Sequence, residues 1–189
     1  TPQLFVLTSY GTIPNDAVNV LSSLGVDAIG LDLVKGSIPQ PSVSLENTTL
    51  VGGVIDGHNI WRGDLGAAFD KLEALKALGV KSVAASTSTS LFHVPHTLKG
   101  EEHLDAGLRS WLAFADEKVG QVVSLAKGLT NGRTSIQADI DAAGAALAAR
   151  ATANGVRVDA VRQRTAALTA SDFTRGDAQE RHDVQAARF

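Results

Sequence analysis

The amino-acid sequence predicts an α/β fold: four parallel βα units, half of a (β/α)8 barrel, followed by a helical carboxy-terminal region. Three observations predict it. Four apolar runs are short enough to be strands and read as continuous stretches, as expected of strands buried on both faces. Polar or helical segments separate the runs. Each run ends in polar groups, at Thr8-Ser9-Tyr10, Asp32, Asp56 and Ser86 to Ser90. In parallel α/β folds such strand ends gather on one face, where ligands bind.

The first run is Leu4 to Leu7. Asn15-Asp16 is placed to cap a helix through Val18, Val20, Leu21 and Leu24, with Gly25 as its stop. The second run, Val26 to Val34, leads into a Pro- and Ser-rich connection from Ile38 to Asn47, where Pro39 and Pro41 disfavour a helix. The third run, Leu50 to Ile55, ends at Asp56-Gly57-His58-Asn59-Ile60-Trp61-Arg62. Asp64 then opens a helix whose Leu65, Ala68, Phe69, Leu72, Leu75 and Leu78 fall on one face, and Gly79 ends it. The fourth run is Val80 to Ala85.

Beyond Pro95 the pattern is helical. Leu104 to Leu129 predicts one long helix with a stripe of Leu108, Trp111, Leu112, Ala115, Val119, Val122 and Leu125. Thr134-x-x-Gln137 has the spacing of a capping box and opens an Ala-rich helix reaching about to Ala153, with Asn154-Gly155 as its end. Val156 to Leu168 and Asp177 to Ala187 predict further helices. The expected organisation is therefore one incomplete domain: four βα units over 1–95, then helices over 96–189. A closed barrel typically takes about 250 residues. A half left open has unpaired strand edges, and an isolated chain of this kind is expected to self-associate.

Composition narrows the function classes. The chain has 189 residues, 44% hydrophobic and 20% charged, enough to bury a core. Seventeen Lys+Arg against 20 Asp+Glu give a net charge of −3, which argues against a nucleic-acid grip. The absence of cysteine excludes disulfides, thiolate catalysis and cysteine zinc sites within these residues. The apolar runs fall short of the roughly 20 residues of a membrane helix. No signal peptide is visible, so the expected compartment is the cytoplasm. The absence of methionine, and a strand directly after Thr1-Pro2, read as a segment of a longer chain.

The segments Asp56 to Arg62 and Ser88-Thr89-Ser90-Leu91-Phe92-His93-Val94-Pro95 resemble cobalamin-independent methionine synthase. The similarity continues through Leu31-Asp32-Leu33-Val34, Leu108 to Ala115 and Leu168 to Phe173, in order along nearly the whole chain. The resemblance implies two (β/α)8 barrels, of which this chain is the second half of the amino-terminal one. It implies a methyltransferase of methionine biosynthesis that passes a methyl group from 5-methyltetrahydrofolate polyglutamate to homocysteine, without cobalamin. It places the catalytic Zn2+ in the carboxy-terminal barrel, outside these residues. The implied partners are therefore the first half-barrel, the catalytic barrel and the small-molecule substrates. Position 58, often Arg in the family motif, is His here.

No catalytic residue is assigned to this segment. The candidate substrate-binding residues are Asp32, Asp56, Asn59, Trp61, Arg62, Ser88 and His93, all at or just after strand ends. Each has a plainer reading. Asp32 and Asp56 also suit loop caps paired with Lys35 or Arg62. Trp61-Arg62 offers an aromatic and a flat cation suited to a pterin or a carboxylate, or a packed Trp with a tethered Arg. His58, His93, His96 and Asp56 have ligand chemistry, but Pro95 disrupts a regular helical spacing and no HExxH is present, so no metal site is assigned. Arg157, Arg162, Arg164, Arg175, Arg181 and Arg188 alternate with acids and read as a solvated surface. Two alternatives of other classes stand beside the methyltransferase reading. One is a free-standing barrel-derived binding or scaffold module. The other is an unrelated barrel enzyme using Asp32 and Asp56 as acid and base.

Overall fold

The computed structural model describes residues 3–188. It divides into two compact units, Thr1–Ala151 and Thr152–Phe189.

The first unit is built on one four-stranded parallel sheet in the order β1-β2-β3-β4. The strands are β1 (Phe5–Thr8), β2 (Ala28–Asp32), β3 (Thr49–Ile55) and β4 (Ser82–Thr87). Sequential strands lying side by side in one direction are what successive βα units produce, and they match half of a barrel. The register places Val6, Ile29, Leu50 and Val83 across one row and Thr8, Leu31, Gly52 and Ala85 across another. Helix α2 (Leu65–Lys76) covers this face. A Cβ on Gly52 would sit 2.7 Å from Leu72 and 3.1 Å from Leu75, so the strand approaches the helix as closely as it does only because the residue is glycine.

The opposite face is the one a closed barrel would enclose. Leu7 and Phe5 lie over Gly30 there, with a Cβ on Gly30 falling 2.7 Å from Leu7. Phe5 is 55% exposed and Leu7 60% exposed. Buried apolar groups thus sit on the helix side, and an uncovered apolar strip lies on the other.

Local chemistry explains most boundaries. Asp64 caps α2 by accepting from Ala67 N–H at 2.9 Å, and Gly79 follows it at φ +75°. Helix α1 (Asn15–Ser23) differs from expectation: Asn15 lies inside it and gives no side-chain cap. Its Oδ1 instead accepts from Gln40 N–H at 3.0 Å, fastening the Pro-rich connection. That connection contains one short 3-10 turn, Val43–Asn47.

The single long helix expected over 104–129 is two, α3 (Ala106–Trp111) and α4 (Ala115–Asn131). The interruption has a clear cause. Arg62 N–H donates to Trp111 C=O and Ala113 N–H to Ile60 C=O, each at 2.8 Å, making an antiparallel bridge with the segment after β3. Those groups cannot serve a helix as well. The buried face of α4 is also rotated from the expected stripe: Lys118, Gln121, Leu125 and Gly128 point inward, whereas Val119 is exposed. Helix α5 (Gln137–Ala151) follows a 3-10 turn, Arg133–Ile136. Thr134 lies within that turn, and Gln137 donates to Asp141 at 2.8 Å, so the expected capping box does not form.

Two apolar clusters result. The main one joins the sheet to α2, α4, the turn at Arg133–Ile136 and α5 through Ile29, Leu50, Phe69, Leu72, Leu125, Ile136 and Ala143. A second, smaller one gathers Val94, Leu98, Leu112 and Phe114 beside Trp61. The second unit comprises α6 (Asp159–Ala166), a 3-10 turn at Ala170–Phe173 and α7 (Ala178–Ala186). Asp177 caps α7 through Glu180 N–H at 2.9 Å, and none of the described residues in these elements is buried.

Candidate functional site

The segment after β3 holds the densest polar network at the strand ends. Asp56 bends the chain: its Oδ1 accepts from His58 N–H at 2.8 Å and its Oδ2 from Asn59 Nδ2 at 2.6 Å. Asn59 Oδ1 accepts from Trp61 N–H at 3.0 Å and, more weakly, from Lys118 Nζ at 3.4 Å. Lys118 Nζ also donates to Trp61 C=O at 3.0 Å. The Arg150 guanidinium stacks 3.9 Å from the centroid of the Trp61 ring. One chain of contacts therefore links β3, α4 and α5.

Ser88 belongs to the same assembly from the β4 side. Its hydroxyl accepts from Gly57 N–H at 3.2 Å, and its own N–H donates to Ile55 C=O at 2.7 Å. A Cβ on Gly57 would lie 2.5 Å from Thr89 Oγ1, so glycine permits this close seam. His58 lies 3.6 Å from the Asp56 carboxylate and 3.5 Å from Thr89 Oγ1. The ring of Tyr10, 77% exposed, meets His58 edge-on at 6.0 Å. Tyr10 holds φ +74°, an uncommon conformation for a bulky side chain.

The remaining candidates lie apart. Asp32, only 2% exposed, turns its own loop by accepting from Val34 N–H at 2.9 Å and Lys35 N–H at 3.0 Å. Its Oδ2 is buried without a partner among the described residues. Neither Lys35 nor Arg62 pairs with Asp32 or Asp56, contrary to the capping pairs considered from sequence. Arg62 instead lines a cleft between α2, α4 and α5. His93 is exposed and meets the Phe92 ring at 5.1 Å.

His58 faces Asp56, and His96 lies 3.5 Å from Asp116; no three ligating side chains converge among the described residues.

Sequence reasoning missed Lys118, Arg150 and Gln121. The signal for Lys118 was its position, seven residues before Leu125 and four after Phe114 on an inward face. Burial pushes the Lys118 ammonium below the ordinary lysine range, against the opposing pull of the Asp56 carboxylate. Its neighbour Glu117 behaves differently. Burial raises the Glu117 carboxyl, but donors from Leu98 N–H, Thr97 Oγ1 and Phe114 N–H more than offset that and hold it below the usual carboxylate range.

Comparison with known proteins supplies the context for this arrangement. Residues 1–79 match the family model of the cobalamin-independent synthase N-terminal domain. The chain resembles these synthases over its whole length. It is 44% identical over 192 residues to the 5-methyltetrahydropteroyltriglutamate–homocysteine methyltransferase of Mycolicibacterium paratuberculosis, covering 100% of this chain and 25% of the relative. With the same-named protein of Rhodococcus jostii it shares 44% identity over 187 residues, 98% of this chain and 25% of the relative. With that of Mycobacterium leprae it shares 41% over 190 residues, again 25% of the relative. The chain thus spans about a quarter of the length of the curated relatives it matches.

Proposed function

We propose that this chain is a structural and substrate-positioning segment of a cobalamin-independent methyltransferase that passes a methyl group from 5-methyltetrahydropteroyltriglutamate to homocysteine. The observation that carries the reading is the locked segment from Asp56 to Arg62. Its carboxylate, amide and indole are tied to backbone groups, Lys118 and Arg150, which suits a rigid wall rather than a reacting group. Similarity along the entire chain to enzymes of that name supports the reaction class. In this reading Asp56, Asn59, Trp61 and Ser88 hold the wall, and Asp32, Arg62 and His93 stand at its margins.

The chemistry asks for a thiolate nucleophile, activated by Zn2+ where the family resemblance holds. The family resemblance puts that metal and the homocysteine site in the carboxy-terminal barrel, outside this segment, which has no cysteine. The compartment that fits this reading is the cytoplasm, as the resemblance to a biosynthetic enzyme implies; among the described residues no helix is long and apolar enough to cross a membrane. An acid–base pair of Asp32 and Asp56 draws less support, because each carboxylate already accepts from two local donors.

The test is Asn59→Ala in the full-length protein. The expected outcome is a raised KM for the folate donor and a lowered melting temperature, with metal content unchanged. A fall in kcat alone, at unchanged melting temperature and KM, would assign the segment to the reaction centre instead.

A further inference from the structure

We propose that the cleft between α2, α4 and α5 binds a small zwitterionic α-amino acid, its carboxylate on Arg62 and its ammonium on Asp139. The cleft has a volume of about 280 Å³. That is just below the roughly 300–1,000 Å³ of sites for drug-sized ligands, so its occupant is smaller.

The charges inside it are opposite and unpaired. Arg62 makes no ion pair among the described residues, and its Nε is buried without an acceptor. A guanidinium left this way favours a planar, bidentate acceptor such as a carboxylate. The other pole is Asp139. Its Oδ2 accepts from Ser124 Oγ, which fixes the carboxylate, and no donor to its Oδ1 is found among the described residues. Glu117 also lines the cleft, but its oxygens already serve Leu98, Thr97 and Phe114.

A simple anion would meet Arg62 but be repelled by Asp139 and Glu117, and a simple cation would meet the reverse. A molecule carrying both charges offers a partner to each pole, and the small volume of the cleft limits it to a short one. The segment bearing Arg62 is held in place, because Gly63 N–H donates to Gln121 Oε1 at 3.3 Å and Arg62 N–H to Trp111 C=O at 2.8 Å. Leu65, Ala113 and Ala142 supply apolar wall, leaving room for a short side chain.

The inference does not depend on the methyltransferase reading, and a protein that transfers no methyl group can still be tested for it. The experiment is titration calorimetry of the full-length protein with L-alanine, acetate and ethylammonium. The expected result is binding of L-alanine at least tenfold tighter than of either single-charge probe. Arg62→Gln should weaken alanine binding tenfold or more. Gly120→Leu supplies the second arm. Gly120 lines the cleft, and a Cβ there meets nothing within 4 Å, so leucine is accommodated by the helix while its tip fills the site. That variant should abolish the same binding event at a melting temperature no lower than that of the unsubstituted protein. No binding of alanine, equal binding of acetate, or alanine binding that survives in Gly120→Leu overturns the proposal.

Discussion

Lys118 donates from its Nζ to the main-chain carbonyl of Trp61 at 3.0 Å, from a side chain with 0% exposure. The ammonium is thus an internal strut between α4 and the strand-end loop, not a surface charge. A lysine is long enough to reach from a helix to a loop carbonyl, and strong enough as a donor to be kept there despite the cost of burial.

Replacing Lys118 by Ala should destabilise the protein by about 2–5 kcal/mol, the range for emptying a buried position, with the Trp61 carbonyl losing its donor as well. Denaturant melts measure it. The pH dependence has a definite sign. Burial lowers the folded-state pKa below the unfolded value of 10.5, so the unfolded chain binds more protons between the two. Stability from this group therefore rises as pH climbs through the folded pKa towards 10.5. Lys118→Met should flatten that rise; an identical slope in wild type and variant would show that Lys118 does not titrate differently on folding.

Glu117 gives a dependence at the other end of the scale. Its carboxylate accepts from Thr97 Oγ1 at 3.0 Å and from Leu98 and Phe114 N–H, each at 3.1 Å, tying the chain after β4 to the start of α4. Its pKa is lowered from 4.5, so its contribution is fully present above that value and fades as pH falls through the folded pKa. Glu117→Gln should cost about 1–3 kcal/mol at neutral pH, since an amide offers only one acceptor oxygen to these donors. The difference from wild type should shrink below pH 4.5. A variant as stable as wild type at neutral pH would remove Glu117 from the account of this junction.

The four strands, their order of appearance and the α2 cap at Asp64 were legible in the sequence because each rests on local signals: an apolar run, a capping side chain and a following glycine. The division of 104–129 into α3 and α4 was not legible. It depends on Ile60 and Arg62, about fifty residues earlier, competing for the backbone groups of Trp111 and Ala113. The site shows the same limit. Asp56 and Asn59 were found because they follow a strand. Lys118 was hidden inside a helical pattern in which Val119 suggested a different inward face, although Val119 is exposed. Arg62 was expected to pair with an acid that it does not meet, because its direction depends on Trp111 holding its own N–H and Gln121 holding that of Gly63.

Two glycines of α4 predict opposite responses to the same substitution. Alanine is intrinsically better than glycine in a helix by about 0.8–1.0 kcal/mol. At Gly120 a Cβ meets nothing within 4 Å, so Gly120→Ala should stabilise by about that amount. At Gly128 a Cβ would lie 2.6 Å from Ile136 and 2.7 Å from Phe69, inside the main core. Overpacking there should cost about 1–3 kcal/mol and reverse the sign. Thermal melts of the two variants decide it; a shared sign would mean that the packing around Gly128 is looser than the distances indicate.

The last prediction concerns the uncovered face of the sheet. Phe5 and Leu7 are 55% and 60% exposed and lie together over Gly30, on the face turned away from α2. Burying side chains of this size is worth about 1.5–3 kcal/mol each, so leaving both in water is unfavourable unless something covers them. The edge of β1 also has main-chain groups without a strand neighbour in this sheet. In the full-length protein other barrel strands are the expected cover. Residues 1–189 produced alone should therefore self-associate in light scattering at micromolar concentration. The double variant Phe5→Lys, Leu7→Lys should shift the population towards monomer, since two like charges on one strip resist a second apolar surface. A wild-type segment that is monomeric at all concentrations, with a cooperative melt, would show that this face is stable in water and that the barrel reading of its edge is mistaken.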